Sequence, residues 1–289
     1  MKLFDNTAVA FSLKSDSQLE RAYFLFKMIE SQPLVKIGAV VTNFVLKAHL
    51  PVEGLIRSTV FDHFCGGITE EDCLPTIANM YTKKVHAILD YSVEGKETEE
   101  QFDLALEKTL KTIDFAKGKK SIPFAVFKPT GFGRFSLYQK ITEGESLSED
   151  EKEEWDRVVA RYHAVSKLAV KNDVPLLIDA EESWMQKAAD DLIEELMETY
   201  NTKKVIIFST LQMYRHDRID YLKGLHQRAH QKGFYIGMKI VRGAYMEKER
   251  ERAKEKGYPS PICNDKQATD INYDTAIIYM MEHPKMAIF

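Results

Sequence analysis

The sequence predicts an α/β fold, a (β/α)8 barrel that is incomplete here, with about five to six strands preceded by N-terminal helices. Three observations carry that expectation. Short apolar runs alternate with amphipathic helical stretches from residue 84 onward, the pattern of βα units and a parallel sheet. Asp90, Lys128, Asp179, Gln212 and Arg242 stand at or just past the end of every complete run, and the strand ends of a barrel converge on one mouth. No G-x-G-x-x-G follows the first run, which weakens a doubly wound dinucleotide-binding sheet.

The elements follow in chain order. Residues 1–83 form an N-terminal helical region, and residues 84–289 form the partial barrel. Leu19, Ala22, Tyr23 and Phe26 sit near helical spacing, with Met28 and Ile29 continuing the stretch. Residues 38–50 form a second apolar helix stopped by Pro51, and Cys65-Gly66-Gly67 is a turn. Residues 68–81 are a third helix, with Thr69 as N-cap and Glu70, Glu71 and Asp72 suiting its dipole, although Pro75 lies inside.

The strand candidates are residues 85–91, 124–128, 174–179, 205–209, 234–242 and 286–289. Continuous apolar runs of this length suit strands buried on both faces. A helix carrying Trp155, Val158, Tyr162, Val165 and Ala169 precedes the third run, with Ser148 and Glu151 as its capping box. Further helices carry Ala188, Leu192 and Leu196, then Leu222 and Leu225, then Ile277 and Met280. The acidic residues around them read as solvated helix faces.

Composition excludes several classes. With 44% hydrophobic and 29% charged residues over 289 positions, the chain is neither disordered nor collagen-like. Interspersed charges, a net charge of −4 and a pI near 6.1 argue against a nucleic-acid groove. Three widely spaced cysteines suggest neither a disulfide framework nor a zinc site, and suit a cytoplasmic protein. No stretch reaches the ~18 apolar residues of a membrane span, and Asp5 and Asn6 break any signal-peptide apolar region. His226 and His230 stand one helical turn apart without a third ligand, so they read as a surface pair.

The strand ends supply the candidate chemistry. Asp90 and Glu94 place two carboxylates near the mouth, where capping or solvation is the plainer use. Lys128 directly follows an apolar strand, so its charge must be satisfied. Binding a substrate carboxylate, pairing with Asp179 and acting as a Schiff-base nucleophile are all open to it. Asp179 ends an apolar run and needs a partner, and the small Ala180 permits close approach by a flat ligand. Glu181 and Glu182 read as the start of the next helix. Gln212 offers a donor and an acceptor that match a ring imide edge, and a loop glutamine in solvent is the alternative. Arg242, with the small Gly243 and Ala244 before a charged helix, can bind a diphosphate.

Taken together, these motifs resemble a known family. Leu177-Ile178-Asp179-Ala180-Glu181-Glu182, Thr210-Leu211-Gln212-Met213-Tyr214 and Lys239-Ile240-Val241-Arg242-Gly243-Ala244-Tyr245 are similar to proline dehydrogenase in its eukaryotic-like monofunctional form. Asp90-Tyr91-Ser92-Val93-Glu94 and Phe64-Cys65-Gly66-Gly67 fit the same family. The resemblance covers residues from about 60 onward.

The resemblance implies a distorted (β/α)8 barrel that holds FAD at its mouth, oxidises L-proline to Δ1-pyrroline-5-carboxylate and passes electrons to a membrane quinone. It implies Lys128 as the carboxylate ligand and Asp179 and Lys239 as active-site residues, with Lys239 near the flavin N5 edge. It implies Ala180, Gln212, Arg242, Gly243 and Ala244 as FAD ligands, and Asp90 and Glu94 as a gate. A cytoplasmic protein meeting the inner membrane peripherally follows from the quinone. The Arg-rich last helix and the His-Asn-Glu stretch of the family have no counterpart here, so the sequence reads as C-terminally truncated. A non-catalytic barrel remnant or interaction protein, and a different flavin barrel, are the alternatives.

Overall fold

The computed structural model describes residues 5–31, 33–35, 37–38, 40, 45, 48, 54, 61–91, 95 and 97–289. The chain divides into two compact units, Met1–Ala87 and Ile88–Phe289.

The first unit contains two well-capped helices. α1 (Asp16–Ile29) opens on a capping box between Ser15 and Gln18. α2 (Glu70–Tyr81) opens on the reciprocal pair Thr69 and Asp72 and carries Pro75 inside, as the sequence indicated. Cys73 and Ile77 are the buried residues of α2. The expected helix over residues 38–50 lies largely outside the described residues.

The second unit is a six-stranded parallel sheet in sequential order. Its strands are β1 (Ile88–Leu89), β2 (Phe124–Phe127), β3 (Leu176–Ile178), β4 (Ile207–Gln212), β5 (Ile236–Val241) and β6 (Met286–Ile288). Each overlaps one of the apolar runs, and β4 extends three residues past its run to Gln212. Sequential parallel order requires a crossover after every strand. Those crossovers contain α3 (Glu99–Ala116), α4 (Phe135–Thr142), α5 (Glu149–Asn172), α6 (Ser183–Tyr200), α7 (Arg218–Lys232), α8 (Met246–Lys256) and α9 (Lys266–Glu282). α3 and α4 are additional to the helices read from periodicity. The buried face of α3 includes Thr109 and Thr112 beside Phe102, Ala105 and Ile113, which dilutes its apolar stripe.

The sheet curls. In a flat sheet, residues on β2 and β6 would lie about 19 Å apart, four strand spacings. Here the Phe124 and Phe289 rings meet at a centroid distance of 4.7 Å, and Phe124 also meets Phe208 at 5.7 Å. The face carrying these rings is therefore concave. Among the described residues β1 and β6 do not pair with each other, so the barrel wall is open between them.

Register builds the concave face in layers. Val126 is paired with Leu177, Leu177 with Phe208, and Gly237 with Ala287. Val126, Leu177 and Phe208 form a buried cluster with Ile88, Phe124, Val205 and Ala287 packed against it. Gly237 belongs to this layer because nothing larger fits: a Cβ there would lie 2.4 Å from Val205 Cγ1 and 2.7 Å from the Ile207 carbonyl. The opposite face is mostly apolar, with Ala125, Phe127, Leu176, Ile178, Ile207 and Met238 buried and Ser209 a buried polar residue among them. Phe127 of that face stacks on Phe132 at 4.5 Å and meets Tyr162 of α5 edge-on at 5.0 Å.

Candidate active site

Two residues along each strand from the apolar cluster, the concave face becomes polar. β4 and β5 pair Thr210 with Lys239. Continuing the pairing of Val126 with Leu177 and of Leu177 with Phe208 sets Lys128, Asp179 and Thr210 in the same layer. The side-chain period of two is the reason, since residues i and i+2 share a face. This end of the sheet is the C-terminal end of every strand, where barrel chemistry is done.

Asp179 and Lys239 are joined by a direct ion pair between Asp179 Oδ1 and Lys239 Nζ. Their side chains are 23% and 18% exposed, so the pair is sheltered yet reachable. The Asp179 amide donates to the Phe127 carbonyl at 3.0 Å, which carries the β2–β3 ladder one residue past the strand. Thr210 Oγ1 donates to the Ile178 carbonyl at 2.8 Å. Lys128 is half-buried and is the N-cap of a short 3-10 turn, Pro129–Gly131.

Glu181 is not a solvated first-turn residue. α6 begins at Ser183, and both Glu181 (6% exposed) and its neighbour Glu182 (4%) are buried. The Glu181 carboxylate accepts from the Thr130 amide at 2.9 Å and from Thr130 Oγ1 at 2.8 Å. Burial raises its pKa, and the two Thr130 hydrogen bonds and the nearby Lys128 charge only partly oppose that rise. Glu182 pairs with Lys248 of α8.

Gln212 is buried at the end of β4, not in a solvated loop. Its Nε2 donates to the Glu181 carbonyl at 2.6 Å and to the Tyr214 hydroxyl at 2.9 Å. Its Oε1 accepts one long bond, 3.4 Å, from Arg215 Nη1. Burial pushes the Tyr214 phenol up to about 12, with the Glu249 charge adding to it.

Arg242 lies just past β5 and is 56% exposed, paired with Asp270 of α9 at 2.7 Å and lying over the Tyr273 ring. Gly243 and Ala244 are exposed beside it. α8 then starts at Met246 with no side-chain cap on its first turn. One first-turn carboxylate, Glu249, is turned onto Ser183 instead, accepting from its amide at 2.6 Å and its hydroxyl at 2.7 Å. Asp90 follows β1 directly and is exposed, whereas Glu94 lies outside the described residues.

The structure thus brings Lys128, Asp179, Thr210 and Lys239 into one layer. Gln212 comes two residues further along β4 from Thr210, Glu181 comes two residues past Asp179, and Arg242–Ala244 follow the end of β5. Two acidic residues on helices read from sequence as having solvated acidic faces are buried and partnered, Asp190 with Arg218 and Glu154 with Arg134, and Glu249 is likewise buried on Ser183. Asp190 had a legible signal, because it lies one helical turn before Ile193 on the buried face of α6. His226 is also more than a surface residue. Its Nδ1 is 2.7 Å from the Tyr279 hydroxyl, and its ring meets His283 at 4.7 Å.

Among the described residues no helix is long and apolar enough to cross a membrane, and no group of three His, Cys, Asp or Glu is placed to hold a metal.

Comparison with known proteins gives a consistent picture. Residues 73–289 match the family model for proline dehydrogenase. The carbapenem antibiotics biosynthesis protein CarD of Pectobacterium carotovorum subsp. carotovorum is 34% identical over 228 residues, which is 79% of this chain and 60% of that protein. The mitochondrial proline dehydrogenase 1 of Arabidopsis thaliana is 26% identical, over 94% of this chain and 63% of its own length. The chain therefore spans about 60% of the length of these relatives. Among solved structures, proline utilization A (PutA) from Bdellovibrio bacteriovorus superposes with a TM-score of 0.68 at 19% identity, over 81% of this chain and 26% of that one. That likeness is one of fold.

Proposed function

The chain belongs to the proline dehydrogenase family, and from that premise we propose that it oxidises L-proline to Δ1-pyrroline-5-carboxylate with FAD, electrons passing to a quinone met peripherally at a membrane. The observation that carries this reading is the Lys239–Asp179 ion pair, sheltered at the strand ends in the same layer as Lys128.

The residues present fit FAD. Arg242 offers an exposed guanidinium beside exposed Gly243 and Ala244, and the uncapped first turn of α8 follows. A fork-shaped cation next to a helix start without a side-chain cap suits a diphosphate. Ala180 is half-buried and has no side chain beyond Cβ, which leaves room for a flat ring above the Asp179–Lys239 pair. Gln212 retains acceptor capacity on Oε1, the oxygen that holds one long bond from Arg215, and that oxygen suits a ring N–H. When bound, FAD supplies the two-electron acceptor that no side chain provides.

The chain's own residues do the rest. Lys128 is a point charge suited to the substrate carboxylate. Asp179 holds Lys239 in one orientation, so the ammonium would serve as a preorganised cation beside a bound flavin. Removing two electrons from a secondary amine needs a clamp on the substrate and a fixed cation near the acceptor, and this layer offers both. Asp90, exposed just past β1, serves as the gate.

The test is direct. The purified protein is loaded with FAD, freed of excess flavin and mixed anaerobically with L-proline, 4-hydroxyproline or a reduced folate. Bleaching of the flavin band by L-proline is expected. Bleaching by the folate alone points to a different flavin barrel, and a protein that retains no flavin is the non-catalytic remnant.

A further inference from the structure

Glu181 is held from more sides than a helix-start residue needs to be. Its amide donates to Gln186 Oε1 at 2.7 Å, and its carbonyl accepts from Gln212 Nε2 at 2.6 Å. A closed ring of side chains runs from those two atoms. Gln186 Nε2 donates to Asp190 at 2.8 Å, and Arg218 Nη1 donates to the other Asp190 oxygen at 2.7 Å. Arg218 and Arg215 both donate to Asp217, at 2.7 and 2.8 Å, and Arg215 returns to Gln212 Oε1 at 3.4 Å. Burial pushes the Asp190 carboxyl up, against the pull of the adjacent Arg218. Burial also raises Asp217, but Arg218 and Arg215 outweigh it and leave that carboxyl below its usual range. Asp190, Gln186, Gln212, Arg215 and Arg218 of this ring are buried and only Asp217 reaches solvent, so the buried members hold one another in place: other arrangements would leave polar groups unpaired.

The ring fixes the Glu181 main chain, which leaves the carboxylate as a rigid post. That post reaches across to the neighbouring loop and takes both the amide and the hydroxyl of Thr130. Thr130 belongs to the 3-10 turn whose N-cap is Lys128. Lys128 is also close enough for its charge to favour the ionised Glu181. The loop after β2 is thereby pinned to the loop after β3 through one side chain.

We propose that Glu181 is a positioning residue for Lys128, holding the loop that carries this lysine through its two hydrogen bonds to Thr130, so that the ammonium stands at a fixed distance from the Asp179–Lys239 pair. The assignment rests on the reading of Lys128 as the clamp for a substrate carboxylate. It adds a residue that does not itself touch substrate.

The test separates a tether from general damage. Binding of cyclopentanecarboxylate, which carries the ring and carboxylate but no oxidisable amine, is measured by calorimetry on the FAD-loaded protein, beside KM and kcat for L-proline. Glu181→Ala should weaken carboxylate binding and raise KM by about tenfold, the size expected for hydrogen bonds to a charged group, with kcat within about twofold. In a Lys128→Met background the same substitution should change neither, since residues acting through one another are not additive. Glu181→Gln, which can still bond both Thr130 groups, should stay within about threefold of the parent. If Glu181→Ala does not fold, Thr130→Val must show weakened binding that disappears in the Lys128→Met background.

Additive losses, a Gln variant as weak as the Ala variant, or unaltered binding in Glu181→Ala would each overturn the assignment. A parent protein that binds the carboxylate but is not bleached by proline sinks the proposed function and leaves Glu181 standing. A parent that does not bind the carboxylate removes the Lys128 clamp and Glu181 with it.

Discussion

The concave face of the sheet holds two neighbouring layers with opposite chemistry. The lower one, Val126, Leu177, Phe208, Gly237 and Ala287, is apolar and closely packed. The upper one, Lys128, Asp179, Thr210 and Lys239, is charged or polar and lies two residues further along the same strands. The difference shows how one set of strands divides its labour. Residues deep in the curled sheet meet only other side chains, and apolar groups gain most by leaving water there. Residues at the strand ends stay within reach of a ligand, so charge can be kept if it is paired. The chain pairs it with Lys239 on Asp179 and Thr130 on Glu181.

The largest expected effect breaks the lower layer. Phe208 is buried and meets the Phe124 ring edge-on, so Phe208→Ala should cost about 3–5 kcal/mol of stability through lost burial and a cavity. Denaturant unfolding measures it, and flavin bleaching by proline should persist in the folded fraction. If activity falls with stability unchanged, the two layers do not divide the work as described.

The next effect inverts that pattern in the upper layer. Lys239→Ala should lower the rate of proline-dependent flavin reduction by about 100-fold or more, the scale of removing a preorganised electrostatic partner. Stability should change far less, since the pair is partly exposed and such pairs contribute little. Stopped-flow reduction and a melting curve on the same sample give both numbers. An unaltered rate would remove Lys239 from the reaction.

The smallest effect lies outside both layers. Burial, followed by the charges of His283 and His230, lowers the His226 pKa from its ordinary 6.5. The folded state then holds fewer protons than the unfolded chain in the window below 6.5, so this group's contribution is present above 6.5 and fades as pH falls through that window. His226→Gln should flatten part of the decline in melting temperature on acidification. An unaltered slope would place the acid sensitivity inside the barrel.

Much of this was legible in the residues themselves. Each of the six strands overlaps a continuous apolar run, because a strand covered on both faces leaves no room for alternation. The caps at Ser148 and Thr69 were legible because capping is local chemistry between residues three apart. Lys128 and Asp179 stood out because a charge at the close of an apolar run must be satisfied, whereas Lys239, inside its run, was singled out only by the family resemblance. α3 was not legible, since its buried face carries threonines that hydrogen-bond back to their own helix, as Thr109 does to Ala105.

What the sequence could not supply was partner choice. It offered Lys128 as a partner for Asp179 and named no partner for Lys239, whereas the register of β3, β4 and β5 sets Lys239 on Asp179. It placed Glu181 at a solvated helix start, and the curled sheet buries it against Thr130. It left Gln212 between solvent and a ligand, and the fold buries it with its Nε2 on the Glu181 carbonyl and the Tyr214 hydroxyl. Apolar runs and caps are set by contacts within a few residues, which a sequence displays directly. Thr130 and Glu181 lie 51 residues apart and Asp179 and Lys239 lie 60 apart, so these partnerships exist only once the sheet has brought its strands together.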